Sequence, residues 1–288
     1  MEDYSYRELK YWVSSYYDVQ KLRVETGNRI ASLQRAALTS KLKELGVKVK
    51  KELTIEDKKQ GKKEESLESL KGKLDKVIGE KMTQEIIDST VGPRTLELFK
   101  HLQESEKTTE KAIQDEIKGV SIWEEYLKKV KGIGPVLAGG LVSCIDISYA
   151  EKKQSGITYA SSLWAYAGLT PDSKRKKGER SDWNPWLKAL CWKIGGSFLK
   201  VKNKGTKFYY DYKEKDSKKH PELQNYNEKT KQGGAKHLHN RALRYLVKKF
   251  LVELWWVWRK QAGLPTPEPY AMMKGHSSYE KPGHWFVD

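Results

Sequence analysis

Cysteine is scarce in this sequence: the chain has two, Cys144 and Cys191, and no pair with the CxxC spacing of a zinc site. A structural zinc centre takes four protein ligands, so we expect no metal site. Both cysteines stand among apolar residues, which predicts core thiols rather than a disulfide. Free thiols are typical of a reducing compartment, so we expect a cytoplasmic protein, and nothing in the sequence calls for a cofactor.

Long hydrophobic runs are also lacking. No stretch is long and apolar enough to span a bilayer, and the first residues, MEDYSYRELK, lack the apolar core of a secretion signal. Hydrophobic residues still make up 38% of the chain, with ten Trp and sixteen Tyr. These side chains can bury large areas, so the sequence favours a folded, soluble protein with no membrane partner.

Acidic residues are too few to balance the basic ones, and the formal net charge is +17. Between Thr170 and Lys260, 24 Lys and Arg face 9 Asp and Glu, so this stretch carries almost the whole excess. Such a field favours a polyanion, because each neutralised phosphate releases condensed counterions. The alternatives are an anionic membrane surface and a solvated lysine-rich surface. We favour nucleic acid, with duplex or branched DNA first.

The first 119 residues predict helices joined by loops. Apolar residues recur at three- and four-residue steps over Tyr4–Leu45, which predicts one long helix interrupted in pattern by Gly27. Shorter helices are predicted over Leu67–Met82 and Thr95–Ile117. A helix as long as the first needs a partner, either a later segment or a second copy. We therefore expect a coiled-coil-like arm over residues 1–119, useful as a spacer or for homodimerisation.

Apolar density rises and glycines appear after Gly119, where we place the main domain boundary. Residues 120–265 predict a compact domain, and residues 266–288 an irregular tail. The polar stretch 201–234 within the domain is typical of a long, partly mobile insertion. Helices are predicted over Tyr159–Gly168, Asp182–Leu199 and Ala235–Gln261. The fold class is therefore all-α: a helical arm followed by a compact helix-hairpin-helix domain.

The sharpest motif is the run Lys131-Gly132-Ile133-Gly134-Pro135-Val136. It resembles the turn of a helix-hairpin-helix element, in which Gly-hydrophobic-Gly joins two helices. Glycines let the backbone approach a phosphate closely, and proline suits the first turn of a helix. The free amides and the helix dipole then face the anion, and Lys131 adds charge. The alternative is an ordinary glycine-rich connection between helices.

A basic loop follows the segment YAGLTP, whose Gly168 and Pro171 end a helix. Its cations are Lys174, Arg175, Lys176, Lys177 and Arg180. Cations this closely spaced favour contact with a nucleic-acid backbone, which fixes position without reading bases. The alternative is a solvated surface loop.

The last predicted helix presents Arg241, Arg244 and Lys248 on one face, because they are three and four residues apart. Its other face is apolar and predicts core. His237 and His239 are two residues apart and point in different directions on a helix, so a shared metal is not expected. Tryptophans could stack on unpaired bases, but their helical spacing favours core.

Three segments in this order resemble one known family. They are KGIGPVLAGGLVSCI, YASSLWAYAGLTP and, after the basic loop, GGAKHLHNRALRYLV. Together they look like the C-terminal domain of bridge-RNA-guided, DEDD-type insertion-sequence transposases, over about Ser121 to Gly263. The segment YYDVQKLRVETGNRIASLQ resembles the coiled-coil linker that precedes this domain. The resemblance implies a DNA-binding function related to mobile elements.

The resemblance also implies a catalytic serine just beyond the GLxP segment. Ser173 matches that position best, and Ser181 is a second candidate. The family's RNase H-like domain, with its four acidic metal ligands, has no counterpart in this sequence. We therefore expect binding rather than cleavage. The alternatives are an active serine-dependent recombinase or nuclease, and a binder of structured RNA, since the family works with an RNA.

Overall fold

The computed structural model describes residues 2–50, 65–147, 159–171, 173–174, 177–225, 234–268, 282–283 and 285–287. Every regular element within these ranges is a helix, which confirms the all-α prediction. The α-helices are α1 (Glu2–Glu44), α2 (Leu67–Ile78), α3 (Glu80–Thr90), α4 (Pro93–Ile117), α5 (Ser121–Glu125), α6 (Pro135–Cys144), α7 (Ala160–Tyr166), α8 (Pro185–Val201), α9 (Lys207–Lys219) and α10 (Gly234–Gln261). None of these helices is long and apolar enough to cross a membrane.

The chain divides into two units. The arm unit is Ser14–Thr109, and the main unit is Met1–Val13 together with Glu110–Asp288. Gly119, the predicted boundary, ends the turn after α4 with a φ of 80°. The structural division falls ten residues earlier, and the first thirteen residues, predicted in the arm, belong to the main unit. The reason is that α1 and α4 are each long enough to supply residues to both units.

The long first helix is confirmed, and within the arm unit it packs against α4 in the antiparallel direction. Glu106 of α4 accepts hydrogen bonds from Gln20 and Arg23, with 3.0 Å between Gln20 Nε2 and its Oε1. Further along the same two helices, a Cβ at Gly27 of α1 would lie 3.1 Å from the Phe99 ring of α4. The glycine that interrupts the apolar pattern therefore gives room to an aromatic side chain. The coiled-coil-like geometry stays a prediction.

The end of the arm unit is a small core of its own. Its buried members come from α1, α2 and α3: Leu38, Leu42, Leu70, Leu74 and Ile87. The helix predicted over Leu67–Met82 is two helices, because Gly79 adopts a φ of 87° that interrupts the first. Its amide closes α2 by donating to the Asp75 carbonyl at 2.9 Å, and α3 begins at the next residue.

The core of the main unit is built around α10. Leu246, Phe250 and Leu254 are fully buried along it, and α10 packs against α7, α8 and α9. Trp255 and Trp258 are buried on the same helix, which confirms the core interpretation for these two indoles. Cys191 of α8 is buried as well, and burial raises the pKa of its thiol to about 12.

Much of the polar stretch 201–234, which the sequence analysis interprets as a long, partly mobile insertion, is helical. Helix α9 packs along α10 through polar and aromatic pairs instead of aliphatic ones. The rings of Tyr212 and Tyr245 stack with centroids 4.5 Å apart, and the Tyr209 hydroxyl lies 2.7 Å from His239 Nδ1. The residues that make these contacts are polar or aromatic, which explains why the sequence of this stretch resembles that of a loop. Residues 226–233 lie outside the described residues.

The described end of the tail is irregular, yet it is part of the core. Trp285 and Phe286 are buried, and Phe286 packs against Phe198 and Phe250 of α8 and α10. The amide of Trp285 donates a 2.8 Å hydrogen bond to the buried carboxylate of Glu253. The main unit therefore includes chain that the sequence assigns to a tail.

Candidate nucleic-acid interface

The glycine-rich motif forms a tight connection between two helical segments. The first segment is short: α5 is followed by a single 3-10 turn at Leu127–Lys129 rather than by a continuous helix. Gly132 then adopts a φ of 99°, a conformation that side chains rarely allow. Gly134 is extended, with φ −93° and ψ 174°, and Pro135 opens α6 at its first position.

The inner side of this turn is fixed against the end of α8. Ser197 Oγ donates to the carbonyl of Gly132 at 2.7 Å, and Asn203 Nδ2 donates to the carbonyl of Lys131 at 3.2 Å. Ile133 is buried, 6% exposed. A Cβ at Gly132 would lie 3.0 Å from Val201 and close to other α8 side chains. The carbonyls and the apolar side chain thus face the protein.

The outer side of the turn faces solvent. Gly134 is exposed, and a Cβ built on it meets no atom within 4 Å. Gly134, the N-cap of α6, has no side chain to cap the helix, so among the described residues the first-turn amides, including that of Val136, have no capping side chain. Helix α8 also opens with proline, but Asn184 caps it by accepting from two amides at 3.0 Å. Of these two helices, only α6 has first-turn amides that remain available to donate to an anion.

The lysines beside this turn are not equivalent. Lys128 pairs with Glu124 at 2.9 Å on the same helical segment. Lys129 and Lys131 are exposed and form no ion pair within the described residues. Lys129 and Lys131 therefore both carry exposed positive charge beside the turn.

The basic loop is anchored by Trp183. Gly168 adopts a φ of 63°, and a Cβ there would lie 2.6 Å from the Trp183 ring. The indole thus covers the turn that begins the loop. Lys174, Lys177 and Arg180 are exposed, in agreement with either a solvated or a phosphate-binding loop. The predicted contacts Arg175 and Lys176 lie outside the described residues.

Two lysines, Lys188 and Lys248, lie near Arg244 where α8 packs on α10. Lys188 Nζ lies 4.5 Å from the ring centroid of Trp183, and Lys248 Nζ lies 5.0 Å from that of Trp164. Burial, followed by the nearby charge of Arg244, lowers the pKa of both lysines. Neither lysine forms an ion pair with a carboxylate of the described chain. We call Lys188, Arg244 and Lys248 the cation cluster.

Arg241 shares a helix face with Arg244 but has a different role. Its guanidinium donates two hydrogen bonds to Asp216 of α9, from Nε at 2.7 Å and from Nη2 at 2.6 Å. The Asp216 side chain is only 5% exposed. The pair ties α9 to α10 and places a carboxylate beside Arg241, and the phosphate contact at this residue stays a prediction.

Ser173 lies half-buried in the basic loop, close to where the chain leaves the YAGLTP turn. Its hydroxyl is 2.7 Å from the Thr170 hydroxyl, and its amide donates to the Thr170 carbonyl at 3.2 Å. Within the described residues no histidine, lysine or carboxylate hydrogen-bonds to this hydroxyl. A serine nucleophile needs a base or a charged group to activate it, and Thr170 supplies neither. Ser181, the second candidate, is half-buried on the same loop.

Sequence reasoning missed Lys188. It is the only cation in the first half of α8, in a tryptophan-rich stretch that predicts core, and its partners Arg244 and Lys248 are more than fifty residues away. No local sequence pattern marks it as part of a site.

The described residues contain no cluster of three or more His, Cys, Asp or Glu that could hold a metal. Comparison of the chain with protein-family models, curated proteins and solved structures gave no match.

Proposed function

We propose that this chain binds nucleic acid, gripping duplex or branched DNA by its backbone phosphates. The cation cluster carries the proposal. Lys188 and Lys248 are half-buried without carboxylate partners among the described residues, and both lie near the exposed Arg244. Because like charges repel and partial burial of a cation costs further free energy, an anion beside these three side chains would stabilise them. A nucleic-acid backbone supplies such anions, and each phosphate that a basic domain neutralises releases condensed counterions.

The hairpin supplies a second phosphate contact in this proposal. Ser197, which holds the hairpin carbonyl, follows Lys188 by nine residues on α8, roughly 13 Å along the helix axis. That length is several times the ~3.4 Å rise of one nucleotide step in a duplex, so the two sites do not compete for one phosphate. The cation cluster and the hairpin can therefore hold separate phosphates of one backbone. Contacts to phosphate fix orientation and carry no sequence code, so shape should dominate recognition.

The resemblance to insertion-sequence transposases supports the same class of ligand and suggests a role in DNA recombination. The hairpin, the YAGLTP turn and the α10 segment that carry this resemblance contribute, respectively, the uncapped amides, the anchored basic loop and one of the three clustered cations, Arg244. In this proposal the three segments occur together because each contributes groups that contact phosphate.

The test is a gel-shift titration of the full chain with duplex DNA, single strands, a four-way junction and a structured RNA, at two salt concentrations. The variant Lys188→Gln/Arg244→Gln removes two cluster charges. Its matched control is Lys215→Gln/Lys219→Gln, which removes two exposed charges from α9 of the same unit.

We expect salt-sensitive binding with preference for duplex or branched DNA. The cluster variant should bind more weakly, with a salt dependence flatter by about 0.9 units of slope for each cation removed, or roughly 2 in all. The control should keep most of its affinity. If RNA competed best, the ligand would be structured RNA. If both variants behaved like wild type, the cluster would not be the binding site.

A further inference from the structure

The described end of the tail, residues 285–287, contacts the C-terminal end of α8, and we call these three residues the strap. Phe286 is 1% exposed and packs against Phe198 of α8, with ring centroids 5.3 Å apart. It also lies on Gly205 of the turn after α8, where a Cβ would collide with the Phe286 ring. The strap therefore contacts both the last turns of α8 and the turn that follows them.

Hydrogen bonds hold the strap at both of its ends. The amide of Trp285 donates to the Glu253 carboxylate at 2.8 Å, and Lys204 Nζ donates to the carbonyl of Val287 at 2.9 Å. The Trp285 ring also meets the Phe208 ring edge-on, with centroids 5.4 Å apart. These partners belong to α10, to the turn after α8 and to α9, so the strap joins three parts of the main unit.

The same end of α8 holds the inner side of the glycine-rich hairpin. Ser197 and Asn203 donate to two hairpin carbonyls, at 2.7 and 3.2 Å. A Cβ at Gly132 would lie 3.2 Å from Phe198, the side chain on which the strap packs. The ring of Phe198 thus lies between the strap and the backbone of the hairpin.

We propose that the strap positions the hairpin for phosphate binding without touching the nucleic acid, an inference that rests on the proposed function. Trp285 and Phe286 are buried, so they cannot contact a ligand directly. Their packing fixes the end of α8, which holds the hairpin carbonyls and leaves the outer amides in place for an anion. A turn that is already ordered binds more tightly, because binding then costs less conformational entropy.

Two variants of the full chain loosen the strap. Phe286→Ala removes the ring that packs on α8. Gly283→Ala strains the chain two residues before the strap, because its φ is 135° and its Cβ would lie 2.9 Å from Trp256. The control Leu163→Ala opens a cavity in the same unit, on α7, which packs on α10. Urea unfolding measures the stability of each variant.

The first readout is hydrogen exchange without nucleic acid, at the amides of Ile133 and Ala138. These amides donate to the carbonyls of Val130 and Gly134, each at 3.0 Å. After correction for the free energy of unfolding of each variant, both strap variants should exchange about fivefold faster at these amides than Leu163→Ala. Equal exchange in the strap variants and the control would overturn the proposal.

The second readout is affinity for DNA in the gel-shift titration. Phe286→Ala should bind about fivefold more weakly with an unchanged salt dependence, because it removes no cation. Gly134→Val should lower affinity less in the Phe286→Ala chain than in wild type, because both changes act on one turn. Faster hairpin exchange with unchanged affinity would overturn the role of the strap in binding. If wild type bound no nucleic acid, the proposed function would fail, and the exchange measurement alone would decide whether the strap positions the hairpin.

Discussion

Arg241 and Asp216 form a two-pronged ion pair between α10 and α9, with both hydrogen bonds at or below 2.7 Å. The carboxylate is buried and the guanidinium is partly exposed. This geometry holds the helix of the polar stretch against the core. It also gives one cation of the set that the sequence assigns to phosphate binding a carboxylate partner within the protein.

The first prediction concerns this pair. Arg241→Gln should destabilise the protein by about 3 kcal/mol, because Asp216 is left buried without its partner. Urea unfolding measures the loss. Adding Asp216→Asn to the same chain should recover part of it, as expected of coupled residues. The salt dependence of DNA binding should not change. A drop of about one unit of slope would instead show that Arg241 contacts a phosphate.

The second prediction separates the two glycines of the hairpin. Gly134→Val should leave the melting temperature nearly unchanged, because the new side chain meets open space at an ordinary φ. It should nevertheless lower DNA affinity about tenfold for every sequence alike, because the branched side chain stands between the amides of α6 and a phosphate. A loss confined to one DNA sequence would contradict the backbone grip.

Gly132→Ala is the matched structural variant of that experiment. Its Cβ would meet Val201 at 3.0 Å, and its φ of 99° is strained for alanine. The melting temperature should therefore fall. If Gly134→Val lowered the melting temperature as much as Gly132→Ala, its effect on affinity would be a folding effect.

The third prediction is a pH dependence from Glu253. Burial raises the pKa of this carboxyl above its ordinary value of 4.5, while its hydrogen bond from the Trp285 amide opposes the shift. Because the folded protein holds this proton more tightly than the unfolded chain, its contribution to stability is full below pH 4.5 and is lost as the pH rises through the folded-state pKa. Unfolding in urea at a series of pH values should show this decline.

Glu253→Gln is the test of that assignment. The glutamine oxygen can still accept from Trp285, but the side chain does not titrate, so this part of the pH dependence should disappear. At neutral pH the variant should be as stable as wild type or more stable. An unchanged pH profile in the variant would assign the decline to another group.

The fourth prediction concerns cleavage. The chain alone should not relax or nick supercoiled plasmid, because Ser173 contacts Thr170 and no activating group among the described residues. Ser173→Ala should then behave like wild type both in this assay and in DNA binding. Cleavage by wild type that Ser173→Ala abolishes would establish the recombinase alternative, and cleavage abolished only in Ser181→Ala would identify the second serine.

The free cysteines show what can be predicted from the neighbouring residues in the sequence. Both are free thiols, Cys191 buried and Cys144 half-buried, as their apolar neighbours predict. Burial raises the pKa of the Cys144 thiol to about 11. The long helices follow from the same kind of reasoning, since a repeating apolar pattern determines which residues of a helix must be covered. Gly79 shows the limit of prediction from apolar spacing. Its positive φ divides a helix that the spacing alone predicts as continuous.

The sequence by itself determined the helical class, the Gly-Ile-Gly turn and the basic character of the second half, because spacing, backbone freedom and charge are local properties of a chain. Only the tertiary structure decided which cations lie close together. It placed Lys188 and Lys248 near Arg244, and it gave Arg241 a buried carboxylate as partner. Whether a cation is neutralised depends on which side chains meet it across helices, and that is fixed by packing between residues far apart in sequence.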